Sequence, residues 1–190
     1  MYIVFEGVDG SGKSTQVGSV KELLEEKLKE MYKYNRNFLE RLEVMTIAEP
    51  EIEGWVNEDD PVEQVLRFAL QRRILTYRLD VNPRRISPVI ISDRSYYSSM
   101  AYQSSILSGM SYPEHIREVN EFIPTPNMVF FFDNGIPSES RLFFTYRKYF
   151  EVLPLSTIYV NTEKYNIEET TEYIVNKIIE YIQDKNNILF

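Results

Sequence analysis

Apolar residues along this chain follow two alternating rhythms. Short runs rich in β-branched and aromatic residues, at 2–6, 43–47, 89–92, 128–132 and 157–160, predict five strands of the kind buried on both faces. Between them, apolar positions recur every three or four residues, the spacing of one helix face. Val17, Val20, Leu24, Leu28 and Met31 form such a stripe, and so do Thr171, Val175 and Ile179 beside Ile174, Ile178 and Ile182. A long helix is expected from Pro61 to about residue 79, capped by Asp60, with Asp59 adding favourable charge. Two more are expected after Asp93-Arg94 and from near Pro113. Strands alternating with helices predict an open parallel sheet covered on both sides. No repeat, low-complexity tract or linker interrupts the pattern, so 1–190 reads as one domain.

The first strand runs straight into Gly7-Val8-Asp9-Gly10-Ser11-Gly12-Lys13-Ser14-Thr15, which carries the Walker A spacing Gly-x-x-x-x-Gly-Lys-Ser. Glycine at these positions frees the backbone to turn successive N–H groups inward onto phosphate oxygens. Lys13 brings a cation to the outer phosphates, Ser14 offers a hydroxyl to Mg2+, and the following helix presents its positive end to the same anion. A strand before and an amphipathic helix after set this apart from a chance glycine-rich turn. The expected fold class is α/β: a P-loop NTPase-type three-layer sandwich with a five-stranded parallel sheet and helices on both faces. All nine residues from Gly7 to Thr15 are candidate ATP contacts.

In such sheets ligands gather at the carboxyl ends of the strands. Asp93-Arg94 stands at one such end, with Asp93 a candidate for the Mg2+ shell through water and Arg94 for a phosphate, which its planar fork binds by two oxygens. The plainer alternative is an ion pair closing a strand. Asp133 is a rival acid without a neighbouring arginine, and Asn134-Gly135 beside it reads as a simple turn. Phe68 and Arg72 lie four apart on the long helix and share a face. That pair suits a flat heterocycle, and equally a core aromatic with a snorkelling arginine. Ser98, Ser99, Tyr102 and Gln103 make a polar helix face where a core face would be apolar, which suits a polar ligand.

Composition narrows the classes. A net charge of −8 argues against a broad cationic surface for nucleic acid. The chain has no cysteine, which excludes disulfides and thiolate metal sites and fits a reducing compartment. No apolar run approaches the roughly 20 residues of a membrane helix, and a strand at residue 2 leaves no room for a leader. A cytoplasmic chain without membrane or nucleic-acid partners is the expectation.

Three segments together, Phe5 to Thr15, Phe68-Ala69-Leu70-Gln71-Arg72, and Asp93-Arg94-Ser95-Tyr96-Tyr97-Ser98-Ser99-Met100-Ala101-Tyr102-Gln103, resemble thymidylate kinases in residues, order and spacing. Pro124-x-Pro126-Asn127 before an apolar strand resembles a further family element. The resemblance implies that Asp9 holds the acceptor sugar hydroxyl, Phe68 stacks on thymine, Arg72 hydrogen-bonds the base and Arg94 bridges the two substrates' phosphates. It implies that Tyr102 crowds the place of a ribose 2′-hydroxyl, that Ser98 and Gln103 line the base pocket, and that the protein is a homodimer. Two departures stand out. Ala48 precedes Glu49-Pro50 where the family usually has an arginine, and Glu51-Ile52 replaces a Gly-Gly. The connection from the fourth strand to the fifth, about 133–156, is short, and any lid falls within it at about 134–150. Since Val8 to Ser11 contain no arginine, a lid arginine is expected to supply transition-state charge. Arg141 and Arg147 are the candidates there, with Lys148 alongside, and Arg147 is preferred.

The expected activity is phosphoryl transfer from ATP with Mg2+ to dTMP, with Asp9, Lys13, Arg94 and Arg147 around the transferred group. The alternatives are a kinase for another nucleoside monophosphate, or an ATP-binding interaction protein that has lost transfer.

Overall fold

The five apolar runs pair into one parallel sheet. A computed structural model of the chain describes residues 1–40, 42–49, 60–80, 89–106, 112–134, 145–146 and 157–186. Its strands are β1 (Tyr2–Gly7), β2 (Val44–Ala48), β3 (Val89–Asp93), β4 (Met128–Asp133) and β5 (Thr157–Asn161), in spatial order β2-β3-β1-β4-β5. The helices are α1 (Lys13–Met31), α2 (Arg36–Leu39), α3 (Pro61–Asp80), α4 (Tyr96–Ile106), α5 (Tyr112–Val119) and α6 (Ile167–Asn186).

Strand alternation sorts the core into two apolar layers, as the period of two requires. Ile3 and Phe5 of β1, with Phe130 and Phe132 of β4, pack against Val20, Leu24 and Leu28 of α1 and Ile174, Val175 and Ile178 of α6. Val4, Val129 and Phe131 point the other way, onto Val65 of α3, Tyr97, Met100 and Ala101 of α4, and Ile116 of α5. Three layers result, helices on sheet on helices.

Local signals set the helix starts. Asp60 accepts from the N–H groups of Val62 at 2.9 Å and Glu63 at 3.1 Å, capping α3 where Pro61 opens it. Asn166 and Glu169 exchange hydrogen bonds of 3.0 and 2.9 Å in a reciprocal cap of α6. The one-turn α2 has no periodicity to reveal it; Asn35 caps it by accepting from Phe38 N–H at 3.1 Å.

Asp93 is the last residue of β3 itself, in register with Phe5 of β1 and Ala48 of β2. The carboxyl ends of β1, β2 and β3 therefore open side by side onto one crevice.

Candidate active site

The turn from β1 into α1 is built around Gly7, whose φ is 145°. A Cβ there would stand 2.4 Å from the carbonyl oxygen of Phe132 in β4, so the close approach of loop to sheet admits no side chain. Lys13 opens α1 and folds back over the loop, its Nζ donating to Val8 O at 2.6 Å and Ser11 Oγ at 3.1 Å. Burial, aided by the nearby Arg94 charge, pushes its pKa down to about 8, against the pull of Asp93, Glu6 and Asp9. The ammonium is thus held in the loop by neutral oxygens, poised for an anion.

Ser14 follows on the first turn of α1 and donates its hydroxyl to Asp93 Oδ2 at 2.5 Å. The other carboxylate oxygen, Oδ1, is buried without a hydrogen-bond partner. A hydroxyl and a half-satisfied carboxylate beside a phosphate loop fit Mg2+. That ion takes only one or two protein oxygens and completes its shell with phosphate and water. Among the described residues no group of three or more acidic or imidazole side chains offers a closed metal cage.

Arg94 sits just past β3 with φ at 75°, in the left-handed region that non-glycine residues rarely occupy. Phe5 O accepts from its N–H at 2.9 Å, and Ser92 Oγ donates to its carbonyl at 2.6 Å. The guanidinium reaches over the phosphate loop, donating from Nη1 to Gly7 O at 3.2 Å and from Nη2 to Asp9 Oδ1. Tyr102 donates to the other oxygen of Asp9 at 3.1 Å, and its ring lies 5.3 Å from the Arg94 guanidinium carbon. Asp9 remains exposed to solvent, so a residue of the phosphate loop meets Arg94 from the end of β3 and Tyr102 from the polar α4 face at an open surface.

Arg72 on α3 is buried and pairs with Glu49, just beyond β2. It also donates to Asn120 Oδ1 at 3.0 Å and Ser99 Oγ at 3.1 Å, so four of its five N–H groups are engaged among the described residues. Its guanidinium carbon lies 5.6 Å from the Phe68 ring centroid. The arginine is braced by these bonds rather than snorkelling. Gln103 donates to Gln64 of α3 at 2.7 Å, leaving its own Oε1 buried and unpaired. Gln71, next to Arg72, is buried with both amide atoms unpaired, an acceptor-side candidate that its sequence position did not reveal.

Ser98 faces inward. Its hydroxyl contacts Glu6, Arg94 and Tyr146 in a buried cluster, so the structure places it behind the arginine. Glu6 was also invisible as a site residue, because a lone acid ending an apolar strand reads as the strand's exit. Burial raises its pKa, against hydrogen bonds from Ser98 and Ser95 and the Arg94 charge.

On the far side of the loop a cavity of about 300 Å3 is lined by Gly10, Thr15, Gln16, Asn134, Thr162 and Tyr165, among others. Asn134 Oδ1 is buried and unpaired there, which gives a chemical use to a residue whose sequence suggested only a turn. Arg141, Arg147, Lys148, Glu51 and Ile52 lie outside the described residues.

The α/β architecture agrees with the comparisons to known proteins. The family model for thymidylate kinase matches residues 5–148. A probable thymidylate kinase of Methanopyrus kandleri is 31% identical over 146 residues, covering 75% of this chain and 66% of that protein. The probable thymidylate kinase 1 of Saccharolobus solfataricus is 36% identical over 140 residues, 69% of this chain and 64% of that one. These matches span about two-thirds of the relatives' length. The crystal structure of thymidylate kinase from Ehrlichia chaffeensis superposes with a TM-score of 0.66 at 22% identity, covering 96% of this chain and 98% of that one, a likeness of fold. The chain belongs to the thymidylate kinase family.

Proposed function

We propose that the protein transfers the terminal phosphoryl group of ATP, with Mg2+, to the 5′-phosphate of dTMP, giving dTDP and ADP. The observation that carries this reading is the Asp9 carboxylate. It belongs to the donor loop, yet it is gripped by Arg94, just past β3, and by Tyr102 of α4, so groups suited to both substrates converge on one residue. A protein that only held nucleotide would have no use for the second set.

Lys13 and the loop amides hold the donor phosphates, and Arg94 spans from Gly7 O toward the acceptor. Ser14 and Asp93 would hold Mg2+, which when bound neutralises charge on the phosphate oxygens. The acceptor phosphate is itself a nucleophile, so positioning and charge stabilisation carry the reaction and no strong base is required. Phe68 stacks on the base, the remaining Arg72 N–H reads a base carbonyl, and Tyr102 disfavours a 2′-hydroxyl. Arg147 supplies charge from the lid. An ADP-release assay across the nucleoside monophosphates tests the assignment. Turnover with dTMP is expected, and no rate with dTMP beside a clear rate with another would remove the acceptor. Lys13→Ala should abolish turnover, and full activity in it would remove the kinase reading.

Ala48 ends β2 where an acceptor-phosphate arginine is usual in the family, and this favours one second reading, a related monophosphate as acceptor. The same assay separates the two.

The homodimer belongs to the proposal as well. Val62, Leu66, Leu70 and Ile74 recur every four residues on α3 and are 42%, 55%, 50% and 38% exposed, a stripe suited to a second copy of the chain. Sedimentation of Leu66→Glu/Leu70→Glu as a monomer, and of the unaltered protein as a dimer, is the expected result. A cytoplasmic location completes the reading, supported by the cysteine-free composition. Among the described residues no helix is long and apolar enough to cross a membrane.

A further inference from the structure

Glu6, next to last in β1, is wholly buried beside the phosphate loop, and the phosphate chemistry makes no direct use of it. Its Oε1 accepts from Ser95 N–H at 2.8 Å and Ser95 Oγ at 2.7 Å, and its Oε2 accepts from Ser98 Oγ at 2.5 Å, with Tyr146 Oη 3.4 Å away. Counting protons gives this cluster a direction. Ser98 has one hydroxyl proton, and the 2.5 Å contact spends it on the carboxylate. Its lone pairs then receive Arg94 Nη1 at 3.2 Å and Tyr146 Oη at 2.8 Å, so Tyr146 is the donor to Ser98. The Tyr146 oxygen in turn faces Arg94 Nη1 at 3.5 Å.

The ring of Tyr146 is held as firmly as its hydroxyl. It is fully buried, with centroids 5.4 Å from Phe131 and 6.1 Å from Tyr102. Tyr102 is itself bonded to Asp9, so Tyr146 backs both partners of that carboxylate. The backbone of Arg94 adds a reason for such bracing. A non-glycine residue at φ 75° persists only where its surroundings over-determine it. Tyr146 lies in the connection between β4 and β5, the segment from which a lid is expected, so the cluster joins that connection to the arginine.

We propose that Tyr146 is a positioning residue for Arg94: through Ser98 and Glu6 it fixes the guanidinium in the aim at Asp9 that phosphoryl transfer needs. The inference rests on the function proposed above and adds a residue to it. Tyr146→Phe removes one hydroxyl and keeps the packed ring, so the fold is retained. In steady-state assays with dTMP, kcat is expected to fall about tenfold while KM for dTMP and the melting temperature hold. The same substitution placed in Arg94→Lys should change kcat by less than about twofold, since a residue acting through Arg94 has nothing left to position. A tenfold loss in both backgrounds, or in neither, overturns the proposal.

A second readout needs no turnover. Arg94 guanidinium N–H signals, assigned in 15N spectra by their loss in Arg94→Lys, should be sharp and slowly exchanging in the unaltered protein and broadened in Tyr146→Phe. Signals unchanged by Tyr146→Phe reject the positioning role. If no monophosphate is phosphorylated at all, the kinase reading alone fails, and these spectra still decide the role of Tyr146.

Discussion

Arg72 and Glu49 meet through two parallel hydrogen bonds, Nε to Oε1 at 2.7 Å and Nη2 to Oε2 at 2.5 Å, with side chains only 4% and 9% exposed. The pair bridges the end of β2 to the middle of α3, and with Asn120 and Ser99 it engages four of the five guanidinium N–H groups among the described residues. Deleting one partner of a buried pair strands the other charge, at a cost of about 3 kcal/mol. Glu49→Ala should lose about that much stability in urea unfolding, and KM for dTMP should rise at least about tenfold as Arg72 loses its brace. Glu49→Gln, which keeps one acceptor, should fall between. An unchanged KM in Glu49→Ala would separate Arg72 from the base.

Lys13 predicts a pH dependence of nucleotide binding. Its pKa in the ligand-free protein is about 8, below the ordinary 10.5, because burial disfavours the ammonium. Phosphates favour the charged form, so above pH 8 binding must draw a proton onto Lys13. Affinity for an ATP analogue should weaken about tenfold per pH unit from about 8 toward 10.5. Calorimetry at about pH 8.5 in two buffers of different ionisation enthalpy should register uptake of most of a proton. The sign for stability is opposite. The unfolded chain binds more protons across this window, so the Lys13 contribution makes the ligand-free fold more stable as pH rises from 8 to 10.5. No proton uptake on binding would remove Lys13 from the phosphates.

What the sequence revealed was what local chemistry encodes. The phosphate loop is nine consecutive residues, and the strands are apolar runs whose alternation, Ile3 and Phe5 against Val4, already separates the two core layers. The meeting of Ser14 with Asp93 could be anticipated because parallel sheets gather their loops at one edge. The partners of Arg72 could not, since Glu49, Ser99 and Asn120 come from three elements with no shared spacing. Glu6 is illegible for the same reason: its donors, Ser95 and Ser98, lie 89 and 92 residues away, and only the fold turns an isolated acid into the hub of a cluster. Asn134 looked like turn chemistry until β5 and α6 closed a cavity over it.

The unpaired Asp93 Oδ1 predicts how that residue fails. Asp93→Asn is nearly isosteric and its amide oxygen still accepts from Ser14, so the strand end should hold. The lost charge should raise the Mg2+ concentration for half-maximal rate by about tenfold or more. KM for dTMP, whose proposed contacts do not include Asp93, should move little. A magnesium titration of the two proteins at saturating ATP makes the comparison, and identical curves would take Asp93 out of the metal shell.

Gly7 and Gly18 offer a matched pair of substitutions with opposite outcomes. At Gly7 an added Cβ meets the Phe132 carbonyl at 2.4 Å and Phe132 Cβ at 3.2 Å, on a backbone with φ 145°. The nearest obstacle is backbone, and Gly7 is in register with Phe132 across β1 and β4, so relief requires the strands themselves to part. Strain and overpacking together should cost about 3 kcal/mol, lowering Tm by about 6–12 °C in a chain of this size. The loop should lose ATP affinity with it, because the cradle's first turn moves. At Gly18, inside α1, an added Cβ meets nothing within 4 Å, and alanine is the better helix former by about 0.5–1 kcal/mol. Gly18→Ala should therefore raise Tm slightly and leave turnover intact. Thermal melts of both variants with and without ATP check the pair. A Gly7→Ala protein that melts and binds like the unaltered chain would mean that the loop does not press against β4.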